Sequence, residues 1–264
     1  MQLEKLTIGY GNYVVQRELT LNVPRGQMIC VLGTNGCGKS TLLRTLAGLQ
    51  PALGGACVMP DGRTINELSE REKAQNVAIV LTERLSTDNT TVEDVVAMGR
   101  YPYSGWLGTL NDSDRHIIDK ALEQTEVLSK RKCFFNELSD GEKQRVLISK
   151  ALAQETPYIF LDEPTAHLDL PNRIKTLLLL RELAHKADKA VVISTHELDL
   201  ALQTADLIWL MKPKAGVVVG TPESLVENGD FQRAFEDPHF SLVQIDGALK
   251  IRLHTSGTPT EAGC

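Results

Sequence analysis

The stretch QMICVLGTNGCGKST, Gln27 to Thr41, joins an apolar run to a glycine-rich turn and then to the helix-period segment TLLRTLAGL. Its turn matches G-x-x-x-x-G-K-[ST] at Gly33, Gly38, Lys39 and Ser40. Glycines free the backbone N–H groups to face phosphate oxygens, a lysine adds a compact positive charge, and a serine hydroxyl can reach Mg²⁺. The intervening Thr34, Asn35, Gly36 and Cys37, with Thr41 on the far side, complete the expected nucleotide-binding loop. A glycine turn that only caps a helix is the competing reading. The strand before the turn and the helix after it favour phosphate.

Two further apolar runs end on polar residues. In PYIFLDEPTAHLD the run delivers the adjacent acids Asp162 and Glu163, which repel each other unless a cation or a proton shares the site. A metal nucleotide relieves that repulsion, with Asp162 on the Mg²⁺ side and Glu163 polarising an attacking water as general base. The run VVISTHE ends at His196, placed to meet a terminal phosphate. Taken singly, an Asp-Glu pair is a solvated strand end and a histidine is a helix-terminal residue. A phosphate loop in the same chain reverses that weighting.

Strand-like runs at Met28 to Leu32, Val77 to Leu81, Tyr158 to Leu161, Val191 to Ser194 and Leu207 to Met211 alternate with helix-period segments. That alternation predicts an α/β fold with a mainly parallel core sheet. The opening residues Leu6, Ile8, Val14 and Val15 read as an antiparallel β edge. Residues 91–137 offer helical patterns without a buried strand and are expected to form a helical subdomain inserted into one domain of residues 1–254. Its core would comprise 1–90 and 138–254. The polar tail 255–264 reads as disordered, and the leucine-rich segment Lys175 to Ala187 as a core helix.

At 264 residues, 42% hydrophobic and 23% charged, the composition is that of an ordinary globular chain. A net charge of -6 argues against a general grip on nucleic acid. Cys30, Cys37, Cys57, Cys133 and Cys264 lack paired metal-ligand spacing, and no basic-then-apolar leader opens the chain, so a reducing, cytosolic setting is expected. No apolar run reaches the length of a bilayer span, so any membrane association would run through a partner.

Between the inserted helices and the acid pair lies NELSDGEKQRVLISKALAQ, where Ser139 and Glu142 form an S-x-x-E capping box. The box accounts for a helix start. It leaves open why a second helix start suited to anions accompanies the phosphate loop. Here the chain resembles the ATP-binding subunit of ATP-binding cassette (ABC) transporters, from Tyr10 to about Gly220: GTNGCGKST resembles Walker A, LSDGE the signature, YIFLDEP Walker B, AHLD the D-loop and STHE the switch histidine. The resemblance implies that Tyr10 stacks on adenine and that Ser139, Gly141 and Glu142 contact ATP bound to a second copy. It also implies that Asp169 joins the two sites. The family's usual signature is LSGGQ, from which Asp140 and Glu142 depart.

MGRYPYSGWLG, TAHLDL and DLALQTADLIWLM resemble more narrowly the subgroup that energises import of iron-siderophore, haem or vitamin B12 complexes. Implied partners are ATP with Mg²⁺, polytopic permease subunits and an external substrate-binding protein, at the cytoplasmic face of the inner membrane. Tyr101, Tyr103 and Trp106, with Arg100, Pro102 and Gly105, would form the permease-docking surface. Where most such cassettes carry a Q-loop glutamine, VAIVLTERL places Thr82, with Glu83 as the competing metal-side candidate. Cys37, inside the loop, is expected to react with thiol reagents unless ATP protects it. A non-transport ABC ATPase, an importer of another substrate class, and an inactive cassette are the alternatives.

Overall fold

A computed structural model of the chain describes residues 1–81, 89–105, 109–166, 168–213, 215–235, 239–245 and 248–253. The chain opens with β1 (Gln2–Tyr10) and β2 (Tyr13–Asn22), then passes through β3 (Met28–Gly33) into α1 (Lys39–Leu46). β4 (Gly54–Val58), α2 (Glu70–Asn76) and β5 (Val77–Val80) follow, then α3 (Val92–Ala97), α4 (Asp112–Gln124) and α5 (Asp140–Ala153). Strands and helices then alternate through β6 (Tyr158–Asp162), α6 (Leu170–Lys186), β7 (Ala190–Ser194), α7 (Leu198–Thr204) and β8 (Leu207–Lys212). The chain continues with β9 (Gly216–Gly220), α8 (Pro222–Glu227), α9 (Asp230–Ala234) and the hairpin β10 (Phe240–Ile245) and β11 (Ala248–Leu253).

The central sheet has the order β5-β6-β7-β3-β8-β9, parallel from β5 to β8 and closed by antiparallel β9. β3, β6 and β7 are buried along their whole length, as strands covered on both faces must be. Alternate residues of β3 serve opposite layers: Cys30 and Leu32 pack with the helical side, whereas Ile29 and Val31 pack toward α1 and the β1–β4 layer. The expected mainly parallel sheet is therefore present.

The antiparallel edge is a separate sheet, ordered β2-β1-β4, rather than a border of the central one. Its β1–β2 pairing is irregular, with register shifts and left-handed residues at Lys5 and Glu18. Between β5 and α5 the described residues form helices and short turns, with no strand beyond the Thr91–Phe134 bridge. Val92, Val95, Val96, Ile118 and Leu122 there share one apolar cluster with Val80, Ile159 and Leu161 of the sheet. The segment read as a buried leucine helix is only half so. Leu177, Leu180 and Leu183 are buried, while Ile174 and Leu178, with Leu170 upstream, are exposed along one face of α6.

The loop after α3 is tied down by side-chain and backbone hydrogen bonds. Arg100 is buried, donating to Asp114 Oδ1 at 2.8 Å and Ala153 O at 2.7 Å, and its guanidinium lies 4.3 Å from the centre of the Tyr103 ring. Tyr103 donates to Gln154 O at 2.8 Å, and Pro102 O accepts from Arg71 and Gln75 at 2.9 Å each. Arg100 thus ties the loop to α4 and α5, Tyr103 to the end of α5, and Pro102 O to α2. This corrects the reading of Arg100 as docking surface, because a buried, paired guanidinium is not available to a partner. Tyr101 remains exposed. Trp106, Thr82, Glu83 and the tail 255–264 lie outside the described residues.

Candidate nucleotide site

β7 lies between β3 and β6 in register, with Ser194 level with both Val31 and Asp162. The carboxyl ends of all three strands therefore open on one edge, where α/β sheets place ligands. A pocket of about 510 Å³ forms there, and Tyr10, Lys39, Ser40, Asp162, Glu163 and His196 are among its lining. Ser139, Gly141, Glu142 and Asp169 do not border it in the same chain.

The loop's conformation depends on its glycines. Gly36 and Gly38 have φ of 80° and 106°, and a Cβ on Gly38 would stand 2.4 Å from Val15 Cγ1. Only glycine suits that backbone and that close approach. Thr34 and Asn35 are exposed on the turn, Gly33 is buried, and Cys37 N donates to Thr34 O at 3.3 Å. Lys39 is buried and donates from Nζ to Gly33 O at 2.9 Å, which keeps its charge within the loop. On the β-sheet side the Tyr10 hydroxyl is 3.0 Å from Thr41 Oγ1 while the ring remains exposed to the pocket.

Burial argues against the reactivity expected of Cys37. Its side chain is 1% exposed and burial pushes its thiol up from the ordinary value, so little thiolate forms. After brief iodoacetamide treatment of the folded protein, peptide mapping is expected to find Cys133, which is partly exposed, modified ahead of Cys37. Fast Cys37 modification that ATP blocks would contradict this.

At the other two strand ends, Asp162 is buried and accepts a 2.6 Å hydrogen bond from Ser194 Oγ. Glu163 adopts a left-handed backbone, φ 49°, uncommon for a residue other than glycine. Its Oε1 lies 2.9 Å from His196 Nε2, with no hydrogen-bond partner among the described residues. Burial is the main cause raising the Glu163 carboxyl, partly offset by Lys39; burial and then Lys39 lower His196. The directions suit a carboxylate with enhanced basicity beside a neutral imidazole. A Ser40 hydroxyl and an Asp162 carboxylate are hard oxygen donors that fit a small divalent ion. Mg²⁺ uses few protein ligands and completes its shell with water and phosphate. Among the described residues no group of three or more His, Cys, Asp or Glu side chains stands together to hold an ion.

Ser139 and Glu142 form the expected capping box at the start of α5: Ser139 N and Oγ each donate to Glu142 Oε2 at 2.9 Å. Glu142 also pairs with Lys130 at 3.1 Å, and the Ser139 hydrogen bonds, then Lys130, hold its carboxyl down at about 2. Asp169 caps α6 by accepting from Asn172 N at 3.0 Å. Glu142→Ala is expected to cost about 1 kcal/mol, the usual size of a lost cap, or about 2–4 °C in Tm for a chain of this size. A depressed carboxylate stabilises above its unfolded value and loses that effect as it protonates in the fold. The deficit should therefore narrow as pH falls from 4.5 toward about 2, a trend that melting curves across that range would check.

Two residues near the site escape the sequence patterns. Gln16 is buried and donates to Cys37 O at 3.1 Å and Lys212 O at 2.6 Å, while accepting from Gly216 N at 3.1 Å. A polar residue interrupting the β2 apolar run was its only signal. Ser194 reads in sequence as the last residue of a strand, and nothing marks its hydroxyl as a neighbour of Asp162.

Comparison with known proteins agrees with the geometry. Residues 16–166 match the ABC transporter family. A siderophore transport system ATP-binding protein of Bacillus subtilis is 39% identical over 88% of this chain and 84% of its own. The fold superposes on an inward-facing metal-chelate type ABC transporter with a TM-score of 0.76, at 27% identity and 96% coverage of each chain. A dimeric bacterial ABC transporter cassette gives 0.72 at 25% identity, over 84% of this chain and 98% of that one. The chain belongs to the ABC transporter family as an ATP-binding, ATP-hydrolysing subunit, of the kind that uses a divalent metal, dimerises and works with membrane permease components.

Proposed function

We propose that this protein is the ATPase subunit of an importer of metal chelates, of the iron-siderophore, haem or cobalamin type. It would work as a homodimer at the cytoplasmic face of the membrane, with a permease and an external substrate-binding protein. The observation that carries the ATPase reading is the convergence of Lys39, Asp162, Glu163 and His196 around one pocket. The substrate class draws support from the siderophore and metal-chelate systems to which the chain is similar. No described helix is long and apolar enough to cross a membrane, so the reading requires a membrane partner.

In this reading Tyr10 stacks on adenine, the backbone from Gly33 to Thr41 and the Lys39 ammonium hold the phosphates, and Ser40 with Asp162 holds Mg²⁺. Held there, the ion would supply charge neutralisation for the phosphates. Glu163 takes a proton from the attacking water through its raised carboxyl, and His196, its Nε2 2.9 Å from that carboxylate, would meet the terminal phosphate. Ser139, Gly141 and Glu142 stand clear of their own pocket and would close over the nucleotide of a second copy, with Asp169 at the seam. ATP promotes closure through its greater affinity for the closed dimer, and hydrolysis removes that preference. Thr82 or Glu83 would stand where the family's Q-loop glutamine contacts the ion. Affinity purification from native membranes tests the reading: a polytopic membrane protein should accompany the chain and respond to ATP. Recovery with a soluble partner alone would refute the transport role.

A further inference from the structure

We propose that Ser194 is a positioning residue for the metal-nucleotide step, orienting Asp162 toward the ion while pinning the Glu163 backbone. The inference rests on the reading of Asp162 as the metal-side acid. Ser194 ends β7 and is completely buried. Its Oγ donates to Asp162 Oδ1 at 2.6 Å and accepts from Glu163 N at 3.0 Å, and its carbonyl accepts from the same N–H at 3.2 Å.

A serine hydroxyl carries one proton and two lone pairs. A carboxylate only accepts and a backbone N–H only donates, so the direction of both bonds is fixed. The proton is committed to Asp162 Oδ1, leaving the other carboxylate oxygen for the ion or its water. The forked bond to Glu163 N holds a left-handed φ of 49°, a conformation that persists in non-glycine residues where surrounding bonds over-determine it. One side chain thereby sets the geometry of both acids without bordering the pocket itself. An apolar residue at 194 would leave the strand intact and Asp162 Oδ1 without this donor. The preceding Val191, Val192 and Ile193 show that the strand needs no hydroxyl for packing.

Fluorescent trinitrophenyl-ATP binding, measured in EDTA and across a Mg²⁺ titration, separates positioning from a structural effect. Ser194→Ala should bind the probe in EDTA within about twofold of the parent. Its Mg²⁺ midpoint should rise roughly tenfold, in keeping with loss of one hydrogen bond to a charged group. Ser194→Thr, which keeps the hydroxyl, should restore the midpoint to within about threefold. In turnover, kcat at fixed Mg²⁺ should fall more than KM rises. An unchanged midpoint in Ser194→Ala, or equal weakening with and without Mg²⁺, would overturn the inference. Asp162→Asn serves as the reference. A midpoint shift there without one in Ser194→Ala sinks the Ser194 inference alone, whereas no shift in Asp162→Asn overturns the metal-side reading beneath it.

Discussion

Glu163→Gln is expected to lower ATP turnover by about 100- to 10,000-fold, the usual contribution of a positioned general base, while ATP binding changes little. The amide is nearly isosteric with the carboxylate but cannot accept the water's proton at neutral pH. The carboxylate sits on a strained backbone turn, 2.9 Å from His196 Nε2, with burial raising its basicity. Blocked chemistry leaves ATP bound, so the variant should accumulate as an ATP-bound dimer that size-exclusion chromatography resolves from the parent. Phosphate release measures turnover directly. Parental turnover in the variant would remove Glu163 from the role of base.

The second large effect falls on stability. Arg100→Met is expected to cost about 3–5 kcal/mol, because removing one partner of a buried pair strands the other. Arg100 and Asp114 side chains are 7% and 6% exposed and lie 2.8 Å apart, and Ala153 O would lose its donor as well. At about 2–4 °C per kcal/mol the melting temperature should drop by roughly 10 °C. Arg100→Met with Asp114→Leu should recover part of that loss, since the charge left without a partner, Glu155, is exposed rather than buried. Burial works to raise the Asp114 carboxyl, and the Arg100 hydrogen bond, the Asn111 N–H and the Arg100 charge together override it, so its folded value lies below the ordinary 3.8. The pair therefore stabilises above 3.8, and the deficit of Arg100→Met should shrink as pH falls through and below that value. A melting temperature within about 2 °C of the parent would show that the pair is dispensable.

Arg100 also illustrates where sequence reading reaches its limit. A charged residue among aromatics and glycines reads as surface, and only tertiary packing shows Asp114 and Ala153 O arriving from other elements to satisfy it. The central strands were legible because β3, β6 and β7 are buried on both faces, and such strands must be continuous apolar runs. The phosphate loop was legible because its chemistry requires fixed residue types at fixed spacing. β4, reading GGACV, and α2, reading EREKAQN, carry too little apolar periodicity to be found by that criterion. α2 buries no residue, and its one local signal is the Ser69–Glu72 capping box. Ser194 stayed hidden for a different reason. Its partner Asp162 is distant in sequence, and parallel strand order cannot be read from local pattern.

Transport assays with the membrane partner test the central claim most directly. Proteoliposomes containing this chain and the permease that purifies with it, with the substrate-binding protein outside and ATP on the side of this chain, should accumulate radiolabelled ferric siderophore, haem or cobalamin. Accumulation should require ATP hydrolysis and disappear with Glu163→Gln. ATP turnover without accumulation of any of the three, or undiminished uptake by the Glu163→Gln protein, would contradict the account.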